Sequence, residues 1–141
     1  MVSGGSEVLG YAVEAAVLAK DWDTAQKYLD QARELGRRFG ERILYNYHFL
    51  LQSFIDCGRE DFVAARRSLQ VGIREARAQG SMWMEIRLLG ALCELPDVSK
   101  EDLAELKKVY ERLPEGFSTA IVSRAREVLQ GGDPRNLSSS E

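Results

Sequence analysis

The chain has 141 residues, a formal net charge of −3, 45% hydrophobic and 29% charged residues, which suits one soluble domain with a substantial core and not two ordinary ones. That charge is too small, and the basic spots Arg37–Arg38, Arg66–Arg67 and Lys107–Lys108 too evenly mixed with acids, to point to nucleic acid as a partner. No run of about 18 apolar residues exists to cross a membrane, and Cys57 and Cys93, far apart in sequence, argue against a disulfide scaffold or a zinc site and for the reducing cytoplasm.

Met1 to Ser6 is rich in Gly and Ser and lacks the basic and apolar succession of a secretory signal, so residues 1–6 read as a flexible N-terminus. The first helix is expected over about Ser6–Lys20, with Leu9, Ala12, Val13, Ala16 and Val17 at intervals that make one stripe. A second covers about Asp23–Phe39, its inner face Ala25, Leu29, Ala32 and Leu35 and its stop Gly40. The third, about Glu41–Cys57, is the most apolar. Ile43, Leu44, Tyr47, Phe49, Leu50, Leu51, Phe54 and Ile55 cover more than one stripe, the pattern of a helix packed on both sides. Gly58 ends it, and Asp61 is placed to cap a fourth helix that reaches about Gln79 and stops at Gly80. Ser81 caps the fifth, which carries Trp83, Met84, Ile86, Leu88, Leu89 and Leu92 towards Pro96.

Beyond Pro96, Ser99 and Asp102 form a capping box in which Asp replaces the usual Glu. The sixth helix, about Lys100–Leu113, puts Leu103, Leu106, Val109 and Tyr110 on one stripe. Pro114, Glu115 and Gly116 break the chain, and Ser118 or Thr119 caps a seventh helix with Ile121, Val122, Ala125, Val128 and Leu129 inward. Residues 131–141 read as a disordered tail of Gly, Pro and Ser. The helical domain is thus expected over residues 7–130.

One relation organises these elements. Asp21–Gly40 laid over Asp61–Gly80 matches Trp22 with Phe62, Ala25 with Ala65, Leu29 with Leu69, Ala32 with Gly72, Gly36 with Ala76 and Gly40 with Gly80, a shift of 40 residues. Repeated helix pairs cannot bury their apolar stripes singly and stack to share a core. The fold class is therefore all-α, an α-solenoid of antiparallel helix hairpins with a C-terminal capping helix.

Leu9, Ala12, Val13 and Ala16, followed by Trp22, Ala25, Leu29 and Ala32, then Tyr47, Leu50, Leu51, Phe54 and Gly58, make the chain resemble the tetratricopeptide repeat, with a period of 40 in place of about 34. A second resemblance rests on Tyr110, Leu113, Glu115, Gly116, Phe117, Thr119, Ala125 and Leu129, preceded by Gly80, Trp83, Glu85 and Arg87. Over roughly residues 60–130 these resemble the C-terminal helical-repeat region of large bacterial signalling ATPases, many joined to nucleotide cyclases or DNA-binding regulators. The resemblance implies a sensor or scaffold. The chain has no Gly-rich run ending in Gly-Lys-Ser or Gly-Lys-Thr to cradle a phosphate.

Catalytic arrangements are poorly supplied. His48 is the sole histidine and Cys57 lies nine residues on, more than two turns along one helix at about 1.5 Å per residue, too far to pair. Cys93, from the fifth helix, is the remaining nucleophile that could reach His48, and it predicts a thiol labelled by iodoacetamide in the native state. One His and two Cys fall short of a zinc ligand set, and the acid pairs Glu101–Asp102 and Glu111–Glu115 fall on solvated helix faces. The expected function is non-catalytic and needs no cofactor or metal. A protein or peptide is expected in a groove lined by the first helix of each pair. Tyr11, Glu14, Tyr45, His48, Gln52, Met82, Glu85 and Arg87 are the candidate groove residues, since aromatic and Arg side chains are common interface anchors. A second reading makes the chain a ligand-sensing or self-associating module, two copies forming a homodimer through the incomplete end of the array.

Overall fold

The computed structural model describes residues 3–39, 45–113 and 120–130, apart from the side chains at 3–7, 39, 45, 46 and 120–122. Among the described residues the fold is all-α. Seven helices occur: α1 (Ser3–Leu18), α2 (Trp22–Phe39), α3 (Tyr45–Gly58), α4 (Phe62–Ala78), α5 (Met82–Cys93), α6 (Lys100–Glu111) and α7 (Ala120–Leu129). The first begins three residues before its expected start. The expected stop at Gly40, the apolar positions Ile43 and Leu44, the cap at Ser118 or Thr119, the inward Ile121 and Val122, and the tail lie outside the described residues.

One turn is built three times. Lys20, Glu60 and Gly80 hold left-handed backbone, with φ of 59°, 61° and 69°. The amide of each donates to the carbonyl three residues back, at 3.0, 2.9 and 3.1 Å, and the next amide reaches five residues back, Asp21 to Ala16, Asp61 to Asp56 and Ser81 to Ala76, at 2.9, 2.8 and 2.9 Å. This paired closure satisfies the last carbonyls of the outgoing helix. The residue that completes it then starts the next helix. The carboxylates of Asp21 and Asp61 and the hydroxyl of Ser81 accept from the amides of Thr24, Ala64 and Met84 at 3.3, 3.1 and 3.4 Å. A cap closing one helix and opening the next within three residues leaves the chain little choice but to reverse.

Only Gly80 takes the left-handed conformation without steric cost, and Glu60 adds a negative charge at a helix C-terminus, where the helix dipole disfavours it. Glu60→Gly is expected to raise the unfolding free energy by about 1 kcal/mol, and Lys20→Gly by less, because the Lys20 charge suits its position. Urea denaturation measures both.

The chain forms two compact units, Met1–Gly72 and Ile73–Glu141, with the boundary inside α4. In the first unit Val13 and Ala16 of α1, Ala25 and Leu29 of α2, and Leu51 and Ile55 of α3 make one buried cluster, flanked by Val17, Trp22, Tyr28 and Tyr47. Every repeated position from 25/65 to 36/76 is buried: Ala25 with Ala65, Leu29 with Leu69, Ala32 with Gly72 and Gly36 with Ala76. Small residues alternate with Leu there, so neighbouring backbones approach closely around large side chains.

Helix α3 buries Leu50, Leu51 and Ile55, but Phe54, expected inward, is 38% exposed while Ser53 and Asp56 are buried. The buried positions run nearly round the helix, and Phe54 is exposed although Leu50 and Leu51, four and three residues before it on the same side, are buried. Ser53 tolerates the interior because its hydroxyl donates to the Leu50 carbonyl at 2.6 Å. In the second unit α5 packs against α6 and α7, and these two against each other. Met84, Ile86, Leu88, Leu89 and Leu92 meet Leu106 and Val109 of α6 and Ala125 and Val128 of α7 in its buried set. The expected capping box is present: the Asp102 amide donates to Ser99 Oγ at 3.1 Å, and the Ser99 amide donates to Asp102 Oδ2 at 2.9 Å.

Candidate functional site

On α3 the polar residues His48, Gln52 and Asp56 recur every fourth position, one stripe on an otherwise apolar helix. Gln52 is its hub. The amides of Gln52 and Gln26 exchange two hydrogen bonds, at 3.0 and 2.7 Å, the Arg33 guanidinium donates to Gln52 Oε1 at 2.9 Å, and Gln52 Nε2 donates to Asp56 Oδ1 at 3.1 Å. Gln26 also reaches Asp30 Oδ1 at 2.9 Å. The network clamps α2 to α3. Burial raises the pKa of Asp56, opposed by the Gln52 hydrogen bond. Glu14 is likewise engaged: the Tyr47 hydroxyl donates to it at 2.8 Å, tying α1 to α3.

His48 is 4% exposed, and its Nδ1 has no hydrogen-bond partner among the described residues. Burial first, then the Arg33 charge, lowers its pKa from 6.5 to about 4. A histidine expected in a groove is thus a neutral core residue. Its neutral form is the one the fold accepts, so between pH 6.5 and about 4 the unfolded chain binds the extra proton and stability falls as pH falls, by on the order of 3 kcal/mol. His48→Leu is expected to flatten that slope in denaturation curves measured across the window. A slope unchanged in the variant places its origin elsewhere.

The α5 candidates are arranged differently. Glu85 is 4% exposed, buried where an exposed groove position was expected. Arg77 Nε lies 2.7 Å from Glu85 Oε2 and Arg112 Nη2 3.9 Å from Glu85 Oε1. Arg77 continues to Glu105 at 2.8 Å, and Lys108 to Glu105 at 3.3 Å. Met82 and Glu85 line a cleft of about 200 Å³ with Arg77, Gly80 and Arg112. Its charges already meet each other, so it is a strut between α4, α5 and α6. Arg87 instead lies over the Trp83 ring, 5.5 Å from its centre, and Trp83 is 41% exposed. A pair of an exposed aromatic and a half-buried cation suits an interface.

The described candidates take different places within their units. Glu14 and Gln52 serve contacts between helices, His48 and Glu85 are buried, Met82 edges the cleft, and Tyr11 and Arg87 remain near the surface. The Tyr45 side chain lies outside the described residues. Sequence reasoning missed Gln26, Arg33, Asp56 and Arg77; the four-residue spacing of His48, Gln52 and Asp56 was the available signal for Asp56.

Both cysteines carry free thiols. Cys93 is buried and its Sγ donates to the Asp102 carbonyl at 3.4 Å, while burial raises the Cys57 pKa, an environment that withholds the reactive thiolate. Among the described residues no three His, Cys, Asp or Glu side chains gather as a metal site, and no helix is long and apolar enough to cross a membrane. No family model, curated protein or solved structure matches the chain.

Proposed function

We propose that the chain is a non-catalytic protein-interaction scaffold of tetratricopeptide-like helix hairpins, holding a peptide, a helix or a neighbouring domain within a signalling or regulatory protein. The observation that carries this reading is the thrice-built turn together with the recurrent burial of positions 25/65, 29/69, 32/72 and 36/76. Such recurrence specifies how hairpins are made and leaves the outward residues free to vary for recognition. The relation to the repeat region of bacterial signalling ATPases rests on the motif from Tyr110 to Leu129, whose two helices are joined by the bond from Arg126 Nε to the Tyr110 hydroxyl at 2.8 Å. Its Glu115, Gly116, Phe117 and Thr119 lie outside the described residues. Free thiols fit a reducing, cytoplasmic setting.

The anchor of this scaffold is the Trp83–Arg87 pair. Affinity capture with the full chain, compared with Trp83→Ala and Arg87→Ala, is the test: loss of a partner with unchanged circular dichroism supports the reading, and capture indifferent to both variants overturns that anchor. A second reading, self-association, draws on the 70% exposure of Tyr11. Light scattering over a range of concentrations detects it.

A further inference from the structure

Helix α1 has two apolar faces. One carries Val13 and Ala16 into the core cluster. The other carries Val8, Tyr11 and Leu18, at 65%, 70% and 84% exposure, with Ala15 also exposed between them. Steps of three, four and three residues put these four on a single outward stripe. Large side chains left in water along a helix mark a contact surface more often than an accident of composition.

The internal repeat says what such a stripe meets. Moved by 40 residues, Val8, Tyr11, Ala15 and Leu18 become His48, Leu51, Ile55 and Gly58 of α3. There the same face is covered. Leu51 and Ile55 lie in one cluster with Ala25 and Leu29 of α2, and the Trp22 indole lies directly against Gly58. The hairpin α1–α2 thus covers on α3 the face that α1 leaves open. The covering side chains are Trp22, Ala25 and Leu29 on α2, followed by the buried Ala32.

We propose that the stripe Val8, Tyr11, Ala15 and Leu18 docks an amphipathic helix hairpin whose second helix presents a small, a large and a small residue in the spacing of Ala25, Leu29 and Ala32. The proposal rests on the hairpin-array reading above and adds to it the chemistry and position of one partner. The occupant is a repeat-like hairpin, because the contact it makes already exists once inside the molecule, between α2 and α3. Leu18 holds the place of Gly58 on this face, where even a Cβ would run into the Trp22 ring, so the incoming helix carries a small residue at the position of Trp22.

The test uses the full chain and, as probe, a synthetic peptide of its own residues 3–40 with Trp22→Ala, which carries the Ala25, Leu29 and Ala32 stripe of α2. Saturable one-to-one binding by fluorescence anisotropy is expected. Tyr11→Asp and Leu18→Asp in the full chain, both at exposed positions and so without effect on its folding, are each expected to weaken it at least tenfold, and Leu29→Asp in the peptide to abolish it. Three results overturn the proposal: no binding at millimolar peptide, binding undiminished in the Asp variants, or sedimentation showing a dimer that those variants dissolve and the peptide does not compete with. Capture of a partner through Trp83 and Arg87 in any of these cases leaves the scaffold function standing and removes only this docking face.

Discussion

Gly58→Ala is expected to destabilise the first unit by about 3 kcal/mol, with a fall in melting temperature of roughly 10 °C. A Cβ placed on Gly58 would lie 2.3 to 2.4 Å from the Cζ2, Cε2 and Cη2 atoms of Trp22, well inside van der Waals contact. The clash has no easy relief. The indole is a rigid plane packed against the core cluster, so either the ring leaves its seat or α3 moves away from α2. A smaller side chain removes the conflict. In Trp22→Leu, which itself costs about 2 kcal/mol of buried surface, adding Gly58→Ala is expected to be almost neutral, and the double-mutant cycle measures the coupling. Full additivity of the two changes would show that the ring does not seat on Gly58.

Arg77→Met carries the second large effect, a loss of about 2 to 3 kcal/mol. Glu85 is 5% exposed in its side chain and Arg77 44%, so removing the arginine leaves a carboxylate in the interior with only the more distant Arg112 to answer it. Breaking a buried pair from one side is costly because the remaining charge stays desolvated. The partial exposure of Arg77 moderates the loss, as water screens that end of the pair. Replacing both residues tells a different story. Glu85→Met is expected to change stability by less than about 1 kcal/mol, and Arg77→Met added to it to cost little more, since no stranded charge remains. Urea titration of the four proteins checks this. A single Arg77→Met variant as stable as the parent would mean that Glu85 finds its counter-charge elsewhere.

These two sites differ in how far the amino-acid sequence foretells them. Gly58 was readable as a helix stop, but its closer duty is to make room for Trp22, a residue 36 positions earlier. Glu85 read as a groove residue because it is a polar side chain on the first helix of a pair, the helix expected to line the groove. It is buried instead because Arg77 and Arg112 reach it from outside α5. His48 misled in the same way. The position 40 residues later is Leu88, also buried, so the slot is an apolar one that happens to hold an imidazole.

What the sequence by itself determined is local. The helices follow from apolar periodicity, the capping box from Ser99 and Asp102, the helix starts at Asp61 and Ser81 from side-chain oxygens beside orphan amides, and the buried positions of α2 and α4 from their shared pattern at 40 residues. Each depends on neighbours within about one turn or on the repeat, and both are visible in one dimension. Only the tertiary structure decided which polar residues are interior, that Gln26, Arg33, Gln52 and Asp56 join α2 to α3, and that one stripe of α1 stays open while its counterpart on α3 is covered. Those outcomes depend on which side chains meet across helices, and a period alone shows which face is apolar without showing what lies against it.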